Sequence, residues 1–170
     1  LSYCYQLESV TIPSSVKELS QGVFYRNYKL KSITIPEGIT TIPIYLLSDC
    51  SALVNVALPS TITSIGQEAF RNCTALQSII LPARLESIAN GAFSGCSAMT
   101  SVYSLNASAP AVTESSWSGV TANATLYVPS DEAVTVYETA SYWGNFKSIE
   151  VMGEGFRTAH LTRLADGFLQ

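Results

Sequence analysis

The chain has 170 residues, of which 47% are apolar and 13% charged, with a net charge of −4. Disorder needs low hydrophobicity and many charges, and this composition has neither. No Lys/Arg run is present to meet phosphates, which argues against nucleic acid as a partner, and no run of about 18 apolar residues is present to span a membrane.

From the first residues onward the chain repeats itself. Leu7-Glu8-Ser9-Val10-Thr11-Ile12-Pro13 recurs as Leu30 to Pro36, Leu53 to Pro59 and Leu76 to Pro82, at a constant step of 23 residues. A second apolar pair follows each phrase: Val16 with Leu19, Ile39 with Ile42, Ile62 with Ile65, Leu85 with Ile88. Then comes a bulky column at Leu1, Phe24, Leu47, Phe70 and Phe93. Val10 and Ile12 are two apart, so on a strand they share one face while Ser9 and Thr11 take the other. The proline ends each strand, because it cannot donate the next ladder hydrogen bond. The stretches Gly66 to Phe70 and Asn90 to Phe93 suit a turn or helical turn that inserts its Phe into the core. One such coil cannot bury its apolar positions alone, but stacked neighbours can. Periods of about 20–29 residues with this leucine spacing mark a leucine-rich repeat solenoid. The predicted fold is a right-handed superhelix with a parallel β-sheet on one face and short strands, turns or helical turns on the other.

Four segments are expected along the chain: repeats over 1–98 with the first truncated, a degenerate repeat and last strand over 99–129, a cap over 130–152, and a tail over 153–170. The chain opens inside a repeat, with Leu1 and Cys4 standing where Phe24 and Asn27 stand one period later. A bare solenoid end exposes core, so the sequence reads as a fragment whose targeting segment lay upstream. After Met99 the period loosens: Leu105 takes the proline position, and Asn106 to Pro110 reads as a loop. Trp117 takes the Phe position, and Leu126-Tyr127-Val128-Pro129 restores the phrase 24 residues after Val102. Ser130-Asp131-Glu132 gives an N-cap and an acidic first turn, predicting a helix near 131–140 with Val134, Tyr137 and Ala140 on one face. Trp143, Phe146, Ile149 and Val151 suggest a closing strand. In the tail, Phe156, Leu161, Leu164, Ala165 and Phe168 have helix-like spacing; it is either a docked helix or a non-native tail.

Cys4, Cys50, Cys73 and Cys96 occupy one repeat column, with Asn27 in the missing place. Stacked strands sit about 4.7–4.9 Å apart, whereas bridged Cβ atoms want roughly 3.5–4.5 Å. The column therefore reads as a buried ladder of reduced thiols. No metal site or cofactor is expected, because the single histidine, His160, lies far down the tail, where it reads as a solvated residue. No catalytic motif appears, and the carboxylates scatter over turns instead of pairing for glycoside hydrolysis. The sequons at Asn72, Asn106 and Asn123 read as coincidence in a chain rich in Asn, Ser and Thr.

Two outward columns of the strand face follow from the alternation. One is Ser9, Ser32, Asn55, Ser78 and Ser101. The other is Thr11, Thr34, Ala57, Ile80, Tyr103 and Tyr127, which turns aromatic toward the C-terminus. Side chains in register on adjacent strands are neighbours, so Ile80, Tyr103 and Tyr127 should form one exposed apolar patch, flanked by Asn55 and Ala57. Contiguous aromatics often mark recognition surfaces. The alternative is that the 106–110 loop or the tail folds over these rings.

The phrase Leu-x-x-Ile-x-Ile-Pro, then Ile-x-x-Ile, then Ala-Phe-x-x-Cys closely resembles the BspA-like leucine-rich repeats of bacterial surface proteins. Ser64 to Cys73 is a near-consensus copy, and Leu126 to Pro129 with Tyr137, Trp143, Phe146 and Ile149 looks like the closing segment of Bacteroides-type members. The resemblance covers residues 1 to about 151. Coils with Asn27 for Cys and Pro43 to Leu47 for Gly-x-x-Ala-Phe depart from it. It implies an exported, surface-attached bacterial protein whose repeats mediate adhesion or protein contact. With no catalytic constellation, the chain reads as a non-enzymatic module that engages a protein or glycan ligand through the strand face. The alternatives are a structural spacer presenting another domain, or an accessory domain of a larger surface enzyme.

Overall fold

A computed structural model of the protein describes the backbone of residues 2–166 and side chains through residue 160. Leu1, the side chains of Leu161, Leu164 and Ala165, and Phe168 lie outside the described residues. In chain order the repeats supply β1 (Ser9–Thr11), β2 (Ser32–Thr34), β3 (Thr41–Ile42), β4 (Asn55–Ala57) and β5 (Ser64–Ile65). Then follow β6 (Ser78–Leu81), β7 (Ser87–Ile88), β8 (Ser101–Ser104), β9 (Thr125–Val128), α1 (Asp131–Thr139), β10 (Ser148–Val151) and α2 (Glu154–Asp166).

The phrase strands stack in parallel with the register that the period demands: Val10 opposite Ile33 opposite Val56, and Ile79 opposite Val102 opposite Leu126. Their ladder is not continuous. β1, β2 and β4 form one sheet and β6, β8, β9 and β10 another, so β4 and β6 lie side by side without joining. The second apolar pair forms its own narrow sheet of β3, β5 and β7. The remaining side is made of turns, stitched coil to coil by backbone bonds such as Phe24 N to Leu46 O at 3.1 Å and Phe70 N to Ala92 O at 2.8 Å.

The core sits between these sides. Leu30, Leu53, Leu76 and Met99 are buried, as are Ile39, Ile42, Ile62, Ile65, Leu85 and Ile88. The bulky column is buried from Phe24 to Trp117. Phe70, Phe93 and Trp117 form a stack with centroids 5.0 and 4.4 Å apart, each pair 5° from parallel. All four cysteines are free. Each buried thiol donates to the carbonyl of the bulky-column residue one coil earlier: Cys50 to Phe24 at 3.2 Å, Cys73 to Leu47 at 3.3 Å, Cys96 to Phe70 at 3.1 Å. Asn27 donates its Nδ2 to Phe24 O at 2.8 Å, so the amide serves the same carbonyl as Cys50. Asn27 thus bonds to a carbonyl of its own coil, where the cysteines reach back one coil.

Ser130 caps α1, its Oγ accepting from Ala133 N at 3.2 Å. Ala133 and Tyr137 are the buried residues of α1, while Val134 and Ala140 are half-buried. The closing strand is shorter than expected. Trp143–Asn145 forms a 3₁₀ turn, and only Ser148–Val151 pairs with β9. Trp143 and Phe146 are three apart and both buried, which suits the three-residue period of that turn; a strand would send them to opposite faces. Trp143 Nε1 donates to Pro110 O at 2.7 Å, fastening the 106–110 loop to the cap.

Candidate functional site

The strand face presents the two outward columns in register. Ser9, Ser32 and Asn55 align, as do Thr11, Thr34 and Ala57. Beyond the interruption, Ser78, Ser101 and Thr125 align, and Ile80, Tyr103 and Tyr127 run on to Glu150. Asn55 and Ala57 are exposed. Ile80, Tyr103 and Tyr127 are half-buried.

Where β4 and β6 part, a groove of about 300 Å³ opens on this face, bordered by Ser32, Asn55, Ala57, Ser78 and Ile80. Its floor includes Val56, which is half-buried although it belongs to a core column. Asn55, Ala57 and Ile80 therefore meet at one opening. Tyr103 and Tyr127 stand beside it as a stacked pair, centroids 4.8 Å apart and 14° from parallel.

The tail reaches the same pair. Phe156 of α2 stacks on Tyr103 at 4.3 Å, and His160 stacks on Phe156 at 4.0 Å. His160 Nδ1 also lies 2.9 Å from Phe156 O. The histidine is thus half-buried in a ring stack, not a freely solvated residue, because a four-residue step on a helix brings it over Phe156. Among the described residues, no three His, Cys, Asp or Glu gather as metal ligands would, and no helix is long and apolar enough to cross a membrane.

A second aromatic assembly escaped the reading by columns. Five of the nine tyrosines, Tyr3, Tyr5, Tyr25, Tyr28 and Tyr45, fall within the first 45 residues and cluster on the turn side. Tyr3 meets Tyr25 edge-on at 5.6 Å, Tyr25 meets Tyr45 at 6.3 Å, and Tyr5 stacks on Tyr28 at 5.7 Å. Arg26 lies over the Tyr25 ring at 5.0 Å. Desolvation holds the Tyr25 hydroxyl above its ordinary value. The signal in sequence was this uneven tyrosine distribution, which a search for columns passes over.

The chain resembles known solved structures over most of its length. A leucine-rich repeat protein from Bacteroides ovatus is 25% identical, with a TM-score of 0.66, covering 88% of this chain and 37% of that one. The T. pallidum leucine-rich repeat protein is 21% identical with a TM-score of 0.68, covering 86% of this chain and 71% of that one. A leucine-rich cell surface protein from Faecalibacterium prausnitzii is 23% identical with a TM-score of 0.60, covering 88% and 45%. The chain thus spans well under half of the first of these. No match is found among curated protein sequences. The model of the BspA type leucine-rich repeat region matches residues 1–150 in six copies. With its parallel solenoid, its in-register columns and this match, the chain belongs to the BspA type leucine-rich repeat family.

Proposed function

We propose that this chain is a non-enzymatic binding module of a bacterial cell-surface protein, engaging a protein partner through its strand face. The observation that carries the reading is the groove between β4 and β6, where exposed Asn55 and Ala57 face half-buried Ile80. The stacked Tyr103–Tyr127 pair continues the Ile80 column away from it, and tyrosines beside a polar rim are the usual makings of a protein contact. The surface location is supported by the family and by a structural neighbour described as a cell surface protein.

The spacer reading also has an observation in its favour. Phe156 sits on Tyr103 and takes up part of the aromatic surface that a partner would use.

A screen of the chain against extracellular matrix and serum proteins by surface plasmon resonance separates the two. It should run beside Ala57→Arg with Ile80→Glu, and beside Tyr103→Ser with Tyr127→Ser, all checked by thermal melts. A ligand lost at least about tenfold in the first double variant supports the strand-face site. Equal binding by all three proteins places any partner elsewhere, and no binding by the unaltered chain favours the spacer.

A further inference from the structure

The turn side of the first coils holds a separate cavity of about 680 Å³, lined by Tyr3, Tyr25, Tyr45, Gln21, Glu68 and Arg71 among others. Its size falls within the roughly 300–1,000 Å³ of small-molecule sites. Two columns of this side run in the left-handed backbone region. One is Gly22 at φ 59°, Tyr45 at 58°, Glu68 at 51° and Gly91 at 63°. The other is Tyr3 at 60°, Arg26 at 58°, Asp49 at 60°, Asn72 at 56° and Gly95 at 77°.

An L side chain is strained in that region and glycine is not. The second column has a structural return for the strain. Arg26 Nε lies 3.3 Å from Asp49 Oδ2, and Asn72 Nδ2 donates to Asp49 Oδ1 at 2.8 Å, so side chains tie three coils together. The first column carries no such ladder. Tyr45 and Glu68 stand where the coils on either side use glycine, and both face the cavity. A Cβ on Gly91 would press on Glu68 Cγ at 3.1 Å, so that glycine leaves the glutamate its room. Bulky residues retained at strained positions point toward use of their side chains.

We propose that this cavity is a carbohydrate site for a neutral oligosaccharide. A pyranose presents apolar C–H faces to electron-rich ring faces and hydroxyls to planar hydrogen-bonding groups. Tyr3, Tyr25 and Tyr45 meet edge-on or tilted, at 82° and 53°, unlike the parallel Tyr5–Tyr28 pair at 6°; Arg26 takes one face of Tyr25, so Tyr45 is the ring best placed to offer a face to the ligand. Gln21, Glu68 and Arg71 supply amide, carboxylate and guanidinium for the hydroxyls. Arg71 Nη1 lies 2.8 Å from Glu68 Oε2, so the two charges offset each other and the wall favours neither an anionic nor a cationic ligand. The site lies on the turn side and does not depend on the strand-face reading.

Isothermal titration of the chain with maltotetraose, cellotetraose, mannotetraose and galactotetraose tests it, with sialyllactose and a sulfated disaccharide as charged comparisons. Binding to at least one neutral sugar is expected. Tyr45→Gly should keep the left-handed turn, melt at or above the unaltered temperature, and lose at least about tenfold in affinity. Glu68→Gly should do the same, while Tyr45→Phe and Tyr103→Ser keep the binding. Absence of heat with every neutral sugar at about 10 mM would overturn the proposal. So would preference for the charged sugars, or affinity unchanged in both glycine variants.

Discussion

Phe156 lies flat on Tyr103, ring centroids 4.3 Å apart and planes 14° from parallel, and so joins the tail to the outward column of β8. The same ring carries His160, one helical turn on, and Tyr103 carries Tyr127, giving a run of four stacked rings.

Because α2 meets the solenoid through this stack, Phe156→Ala should act locally. A stacked aromatic pair contributes about 0.5–1.5 kcal/mol beyond its area, so global stability should fall by no more than about 2 kcal/mol. Hydrogen exchange is the informative measurement. The α2 amides should lose protection while those of β8 and β9 keep theirs.

The bulky stack should behave differently. Phe93 lies between Phe70 and Trp117 at 5.0 and 4.4 Å and is fully buried. Phe93→Ala should cost about 3–5 kcal/mol, read as a drop in the urea midpoint. A loss below about 1 kcal/mol would mean that neighbouring coils close over the gap.

Tyr137 fastens the cap. Its hydroxyl lies 2.7 Å from Ser104 Oγ and donates toward Asn106 O at 3.0 Å or Ser108 O at 3.2 Å. Carbonyls cannot donate, so the tyrosine proton goes to one of them and Ser104 supplies its own. Tyr137→Phe strands the buried Ser104 hydroxyl and should cost about 1–3 kcal/mol. For a chain of this size that is a fall in Tm of roughly 3–10 °C.

The thiol ladder predicts alkaline sensitivity. Burial pushes Cys50 up to about 12, and Cys73 is raised well above its ordinary value by the same cause. A group whose folded value is raised gives stability that is fully present below its unfolded value, about 8.5. That stability is lost as pH rises toward the folded value. Urea unfolding should therefore weaken above about pH 9, by roughly 1.4 kcal/mol per pH unit for each of Cys50 and Cys73. Tyr137 is raised by burial too and adds to the decline above about pH 10. The variant Cys50→Ala should show a shallower alkaline slope than the unaltered chain.

The columns were legible because a solenoid repeats its core at a fixed step, so Leu30, Leu53 and Leu76 announce one another. The register of Tyr103 with Tyr127 lies one residue off that step and followed from the returning phrase Leu126 to Pro129 and from strand alternation. The seam between β4 and β6 was not legible: Asn55-Val56-Ala57 and Ser78-Ile79-Ile80 both obey the repeat phrase, yet the two strands fall in different sheets. Nor was the cap turn at Trp143, whose spacing to Phe146 fits a three-residue period that an expected strand obscured. The strained column could have been found by setting Gly22, Tyr45, Glu68 and Gly91 side by side, since a column half glycine signals a left-handed position.

The seam has a mechanical consequence. On the strand side no backbone ladder crosses from β4 to β6, yet behind it β3, β5 and β7 run unbroken and the turns bond straight across, Asp49 N to Arg71 O at 2.7 Å. The rod is therefore cut on one side and sewn on the other, like a book with an intact spine. Load applied along its axis should open the strand side first, between the third and fourth coils, and widen the groove lined by Asn55, Ala57 and Ile80 before any coil comes apart.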